Sequence, residues 1–266
     1  MDCIFDRICV RNRKRPKYAV LTIFQTNSRR QYHFGVSEAL GTALNLLAGL
    51  DPKLVEIVLL SLGVSLTAVA VAALLGLPLG AAIAVGRFPG RQTLIVFLNA
   101  LMGLPPVVVG LLVYLLLSRA GPLGAFGILF TPQAMVIAQT VLILPIIAAL
   151  SRQAIEDAWR EYDEQLRSLG ANRVRSALTL LWDTRFSLLT TVLAGFGRAA
   201  AEVGAVMIVG GNIDGVTRVM TTTIALETSK GDLPLALGLG IILIAIVIAV
   251  NAAAHLTKEL AQRRYG

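Results

Sequence analysis

The sequence predicts an all-α integral membrane protein that crosses the bilayer several times. Three observations carry this prediction: 56% of the 266 residues are hydrophobic, 15% are charged, and the mean hydropathy is +0.73. A soluble domain carries about 25% charged residues, so the composition excludes an ordinary globular enzyme. The apolar runs lack the alternation of membrane β-strands, and the spanning segments are therefore expected to be helices.

Five charge-poor runs are long enough to cross a bilayer, which takes about 20 residues of helix. They predict spans at residues 57–85, 93–117, 134–150, 187–209 and 233–254. The third run is short, but it lies within a charge-free stretch from residue 120 to 151. The fourth run carries two charges, which sets it apart from the other four.

Lysine and arginine predict which side of the membrane each connection faces. The loops 86–92 and 152–186, with the tail 257–266, hold eleven basic residues, whereas the two opposite loops hold three. Because basic residues are enriched on the cytoplasmic side, we expect loop 152–186 and the C-terminus to lie inside the cell. The chain would then be a multi-pass protein of the inner or plasma membrane.

The N-terminal segment does not fit this topology. Five spans place it outside, yet the first 53 residues carry nine lysines and arginines. Two explanations stay open for residues 1–36. They form a basic extension whose location is set by the later spans and not by its own charge, or the true chain starts near Val36. Leucines at helical spacing predict an amphipathic helix along the membrane surface at 37–53, or an extension of the first span.

Prolines interrupt three of the predicted spans. A proline removes one backbone hydrogen bond of a helix, so kinks are expected at Pro78, Pro105, Pro106 and Pro145. One interpretation is a helical bundle that changes shape during its work. The alternative is ordinary membrane composition, because glycine and proline are enriched in membrane helices.

Two charged residues lie inside the fourth span. Arg198 and Glu202 are four residues apart and share one helix face, and an unpaired charge at that depth costs several kcal/mol. The functional hypothesis is a pair that lines or gates a translocation pathway. The structural alternative is a pair that fixes the rotation of the helix.

The loop 152–186 holds six acidic and six basic residues, with apolar residues at spacings of three and four on both sides of Gly170. This pattern predicts two short amphipathic helices joined by a glycine turn. Such a unit cannot bury its apolar face alone, so it needs a partner surface.

The segment from Glu164 to Ala171 resembles the cytoplasmic loop motif of ATP-binding-cassette importer permeases. Glu164 and Gly170 have the spacing of that motif, although Gln165 and Leu166 replace its two alanines. Further segments resemble the tungstate-uptake permeases, which are relatives of the molybdate and sulfate permeases: 87–91, 101–110, 118–124, 195–198, 202–205 and 210–213. The resemblance covers about residues 37–256.

The resemblance implies a type I importer permease fold, with five transmembrane helices and a cytoplasmic coupling loop. It implies that Glu164, Leu169, Gly170 and Ala171 couple the chain to an ATPase. It also implies a homodimer in the membrane lipid, two ATPase subunits that hold ATP and Mg²⁺, and an extracytoplasmic oxyanion-binding protein. The expected cargo is tungstate, with molybdate or another oxyanion as the alternative.

Other function classes fit the sequence less well. The chain contains no phosphate-binding loop of the form G-x-x-x-x-G-K-[ST], so ATP hydrolysis is expected on a separate chain. A stand-alone secondary transporter is disfavoured because five spans do not divide into two equal repeats. The sequence suggests no catalytic set, metal ligands, cofactor of its own or nucleic-acid site.

Overall fold

The computed structural model describes residue 41 and residues 52–265. Within them, the chain is helical and contains no strand, as the sequence predicts. The helices are α1 (Pro52–Val85), α2 (Arg91–Leu101), α3 (Pro106–Leu117), α4 (Pro132–Ser168), α5 (Arg173–Asp183), α6 (Arg185–Ala200), α7 (Gly204–Gly210), α8 (Met220–Lys230) and α9 (Leu233–Tyr265). A short 3₁₀ turn, Gly124–Phe126, follows α3.

The part of the chain that the structure describes contains three helices long and apolar enough to cross a membrane. These are α1, α4 and the segment Leu233–Leu260 of α9. Two further pairs reach that length only together, because α2 and α3 meet at 100° and α6 and α7 meet at 60°. The count is therefore three spans, or five if each bent pair is one span.

The predicted proline kinks differ in outcome from one helix to the next. Pro105 precedes α3 and Pro106 is its first residue, so the 100° bend coincides with the predicted kink of the proline pair. By contrast, α1 continues through Pro78 and α4 continues through Pro145. Kinks at those two prolines stay predictions, since neither proline ends its helix.

The helix of the third predicted span does not end with the apolar run near residue 150. Helix α4 has 37 residues and continues to Ser168, so the first of the two short loop helices is wrong as a separate element. Residues 146–169 contain neither glycine nor proline, and pairs four residues apart, such as Asp163 with Arg167, support the extension. The second loop helix is present as α5.

Helix α4 is the central element of the bundle, and its closest neighbour is α1. Ala68 and Ala72 of α1 are fully buried, and Gly76 of α1 faces Ile147 of α4. Small residues let helices approach closely inside a membrane, where apolar lipid offers little hydrophobic driving force for packing. Helix α4 also packs against α6 and α7, and Ile147 lies close to Gly195 of α6 as well as to Gly76 of α1.

The outward faces of several helices are apolar and exposed. They include Leu59, Leu74, Leu112, Ile244 and Ile248. Exposed large apolar side chains on long helices suit a surface solvated by lipid. Of the N-terminal predictions, residues 1–36 lie outside the described residues, as does 37–53 apart from Gly41, Pro52 and Lys53, the last two of which begin α1.

Replacing Gly80 tests the α1–α4 crossing. A Cβ at this position would lie 2.1 Å from Ser151 Oγ and 2.7 Å from the Ala148 carbonyl oxygen. Gly80→Ala is expected to lower the stability of the chain by about 1–3 kcal/mol, since a backbone must shift. Thermal unfolding of the purified chain in detergent measures this loss.

Gly63→Ala is the matched control, because Gly63 lies in the same helix and nothing lies within 4 Å of its would-be Cβ. That variant should be as stable as the original chain or more stable, since alanine favours helix. Equal unfolding temperatures for the two variants would contradict the close crossing.

Candidate translocation and coupling sites

The first candidate site lies at the break between α6 and α7. Glu202 occupies the break and is 6% exposed. Its Oε1 accepts a hydrogen bond from the Ala205 N–H at 3.1 Å, and its backbone carbonyl accepts one from Thr221 Oγ1 at 2.9 Å. The carboxylate therefore satisfies a donor in the first turn of α7, which would otherwise lie buried without a partner.

Arg198 and Glu202 form a contact, but a long one. Arg198 Nη2 lies 3.8 Å from Glu202 Oε2, and the arginine side chain is 41% exposed. The shared helix face predicted from the sequence is therefore present, with one partner buried and the other facing open space. This geometry agrees with both the structural and the pathway interpretation of the pair: Glu202 fixes the break, and Arg198 can reach a ligand.

A buried polar cluster continues from Glu202 towards α4 and α1. Gln139 Nε2 donates to the Ala199 carbonyl oxygen at 3.2 Å, whereas Gln139 Oε1 is buried without a hydrogen-bond partner. Ser61 Oγ accepts from the Met220 N–H at 2.7 Å and joins α8 to α1. Sequence reasoning missed Gln139, although an amide inside an apolar run was a visible signal.

A groove between α4 and α6, the α4–α6 groove, ends on α6 at Ala194, one helical turn before Arg198. Its walls are Leu150, Gln153, Ala154 and Asp157 of α4 with Ser187, Thr190, Thr191 and Ala194 of α6, and it holds about 860 Å³ open to solvent. Residues 187, 191, 194 and 198 follow one another at spacings of four, three and four. They therefore lie on one face of α6, which is small or polar and ends at Arg198.

The second candidate site is the turn that ends α4. Gly170 has φ of +70°, and the Ala171 N–H donates to the Leu166 carbonyl at 3.0 Å while the Gly170 N–H donates to the Arg167 carbonyl at 2.9 Å. These two bonds form a Schellman motif, whose left-handed residue favours glycine. Asn172 then begins α5 by accepting from the Arg175 N–H at 2.9 Å.

This turn presents a row of exposed apolar side chains. Leu169 is 81% exposed and Trp182 is 73% exposed, and Val174 and Leu178 are exposed as well. We name this set the coupling surface: Leu169, Val174, Leu178 and Trp182. Helix α5 buries Ser176 and Leu180 on its opposite side. Of the other predicted coupling residues, Glu164 is exposed and Ala171 is partly buried.

An ion-pair cluster stabilises α4 beyond the apolar run of the predicted span. Glu156 contacts Arg91 at 3.3 Å, Arg160 at 3.2 Å and also Arg152. Burial by itself raises the pKa of Glu156, but Arg91, Arg152 and Arg160 together outweigh burial and lower its pKa. Among the described residues, no group of three histidine, cysteine or acidic side chains could hold a metal ion.

Comparison with known proteins adds a family to this geometry. Residues 76–266 match the family described as binding-protein-dependent transport system inner membrane component. The chain is 40% identical over 224 residues to the tungstate uptake system permease protein TupB of Peptoclostridium acidaminophilum, covering 84% of this chain and 98% of that protein.

Two more relatives extend the comparison. A probable anion ABC transporter permease protein of Haloferax volcanii is 42% identical over 204 residues, which cover 75% of this chain and 88% of that protein. The molybdenum transport system permease protein ModB of Escherichia coli strain K12 is 32% identical over 193 residues, which cover 68% and 83% respectively.

Proposed function

The chain belongs to the binding-protein-dependent transport system inner membrane components, and on that premise we propose that it carries tungstate through an ATP-driven importer. The observation that supports tungstate as the transported anion is the 40% identity to a tungstate uptake permease over 98% of that protein's length. Molybdate is the second candidate, because a molybdenum permease is 32% identical over 193 residues. The chain is the transport subunit, with ATP and Mg²⁺ held by a partner ATPase.

The coupling surface is the proposed contact with that ATPase. Its four apolar side chains are exposed in a loop that carries six acidic and six basic residues, and burying a leucine side chain contributes about 1.5–3 kcal/mol. The surface lies next to the turn at Gly170, at the end of the helix that contains Gln139. Helix α4 therefore joins the coupling surface to the buried cluster beside Glu202, and movement of one end displaces the other.

The α4–α6 groove is the proposed wall of the pathway. It is open on one side in a single chain, and a second copy of the chain would close it into a channel. Arg198 lies one helical turn beyond Ala194, the last groove residue of α6, and favours anions electrostatically, while Glu202 is held by the Ala205 N–H. An extracytoplasmic binding protein would select the oxyanion by fixed donors, so the pathway needs little affinity of its own.

Elemental uptake in living cells tests the cargo. Deletion of this chain is expected to abolish tungsten uptake at nanomolar tungstate and to leave molybdenum uptake unchanged, as inductively coupled plasma mass spectrometry measures both elements. Loss of both would extend the cargo to molybdate. Unchanged uptake of both would contradict the proposal, and uptake that persists without ATP would favour a secondary transporter.

Charge on the coupling surface tests the ATPase contact. Leu169→Asp is expected to lower co-purification of the ATPase by about tenfold or more, because the contact loses the burial of a leucine side chain. Leu260→Asp is the matched control, since Leu260 is 65% exposed and lies on α9, outside the coupling surface. Equal co-purification of both variants with the ATPase would contradict the proposed surface.

Replacing Arg198 tests the pathway. Arg198→Gln is expected to lower tungsten uptake about tenfold, because the pathway loses the positive charge that lies one helical turn beyond the groove. Arg198→Lys should retain most of the uptake, since it keeps the positive charge. Uptake by the Gln variant that equals the original, with normal membrane levels of the protein, would leave Arg198 a purely structural role.

A further inference from the structure

A basic pocket opens where α1 ends and α2 begins. Its polar lining consists of Arg87, Arg91, Arg160 and Glu156, and Phe88 and Trp159 add aromatic walls. The pocket holds about 640 Å³ open to solvent. It lies apart from the coupling surface and from the α4–α6 groove, and the proposed transport cycle assigns it no role.

The charges of this basic pocket do not balance. Three arginines face one carboxylate, and both oxygens of Glu156 are already engaged, Oε2 by Arg91 and Oε1 by Arg160. Arg91 is also fixed by hydrogen bonds to the Ile83 carbonyl at 2.8 Å and the Ala84 carbonyl at 3.3 Å. The pocket therefore keeps an excess positive charge that its own residues do not neutralise.

Two of the arginines are able to reach a ligand. The side chain of Arg87 is 62% exposed and contacts Asp163 at 3.8 Å, and that of Arg160 is 72% exposed. A guanidinium carries five N–H donors, more than one carboxylate contact uses. The other oxygen of Asp163 lies 2.6 Å from Arg167, so this carboxylate is shared as well.

The depth of the basic pocket identifies the kind of anion it meets. The apolar part of α1 ends at Val85, and the arginines begin two residues later, so the pocket lies at the boundary between hydrocarbon and water. Phe88 is exposed at this boundary, and Trp159 lines the pocket. Aromatic and basic residues together are typical of the headgroup region, where anionic lipids attract arginine.

We propose that the basic pocket binds the phosphate of an anionic membrane lipid, with Arg87 and Arg160 as the donors and Phe88 against the lipid chains. The same donors suit a free phosphate or tungstate ion, but the position at the membrane boundary favours the lipid. The proposal concerns binding alone, and it stands or falls independently of which anion the protein transports.

Native mass spectrometry of the purified full-length chain, with equimolar phosphatidylglycerol and phosphatidylcholine, tests the proposal. The chain is expected to retain phosphatidylglycerol preferentially, and Arg87→Gln/Arg160→Gln is expected to reduce that preference about tenfold or more. The matched control is Arg173→Gln/Arg175→Gln, which removes two exposed charges from α5, away from the pocket. This control should keep the preference.

Further arms separate the possible causes. Arg87→Lys/Arg160→Lys keeps the charge and should keep the preference, so loss of the preference in both double variants would overturn the assignment to charge. Release of phosphatidylglycerol by millimolar inorganic phosphate or tungstate would overturn the lipid in favour of a soluble anion. An unchanged preference for phosphatidylglycerol in the Gln variant would overturn the lipid site, whatever the effect of the same variant on ATPase co-purification.

Discussion

Helices α1 and α4 cross within reach of each other's backbone, since Gly80 of α1 faces Ser151 and Ala148 of α4 without an intervening Cβ. Between membrane helices this close van der Waals contact takes the place of the hydrophobic driving force of soluble proteins. Helix α4 also packs against α6 and α7, and α8 is joined to α1 by the Met220–Ser61 hydrogen bond. The positions of these helices therefore follow from one crossing.

The length of α4 gives this crossing a functional meaning. At about 1.5 Å per residue, its 37 residues extend about 55 Å, and about 44 Å of this length separates Gln139 in the buried cluster from Ser168 at the turn. A helix without internal glycine beyond Pro145 transmits displacement along its axis better than two short helices and a flexible loop would. Ion pairs of Glu156 stiffen the part of α4 that continues beyond the apolar run.

Composition and periodicity predicted the helical membrane class, the five apolar runs and the glycine turn, because these depend on local sequence. They missed the continuation of α4, since hydropathy detects where a chain leaves the membrane and is blind to helix continuity. They also missed the break at Glu202, which no proline marks. That break depends on a hydrogen bond from Thr221, 19 residues away, and on the capping of α7 by its own carboxylate.

The same break explains how a carboxylate can lie beside a proposed pathway for anions. Glu202 is buried and its Oε1 is engaged by the Ala205 N–H, so its charge is partly offset. At 3.8 Å from this carboxylate, Arg198 is neutralised less than in a close ion pair, and its side chain remains accessible. The attraction for an oxyanion is then present but reduced, which suits a site that must release the anion as readily as it admits it.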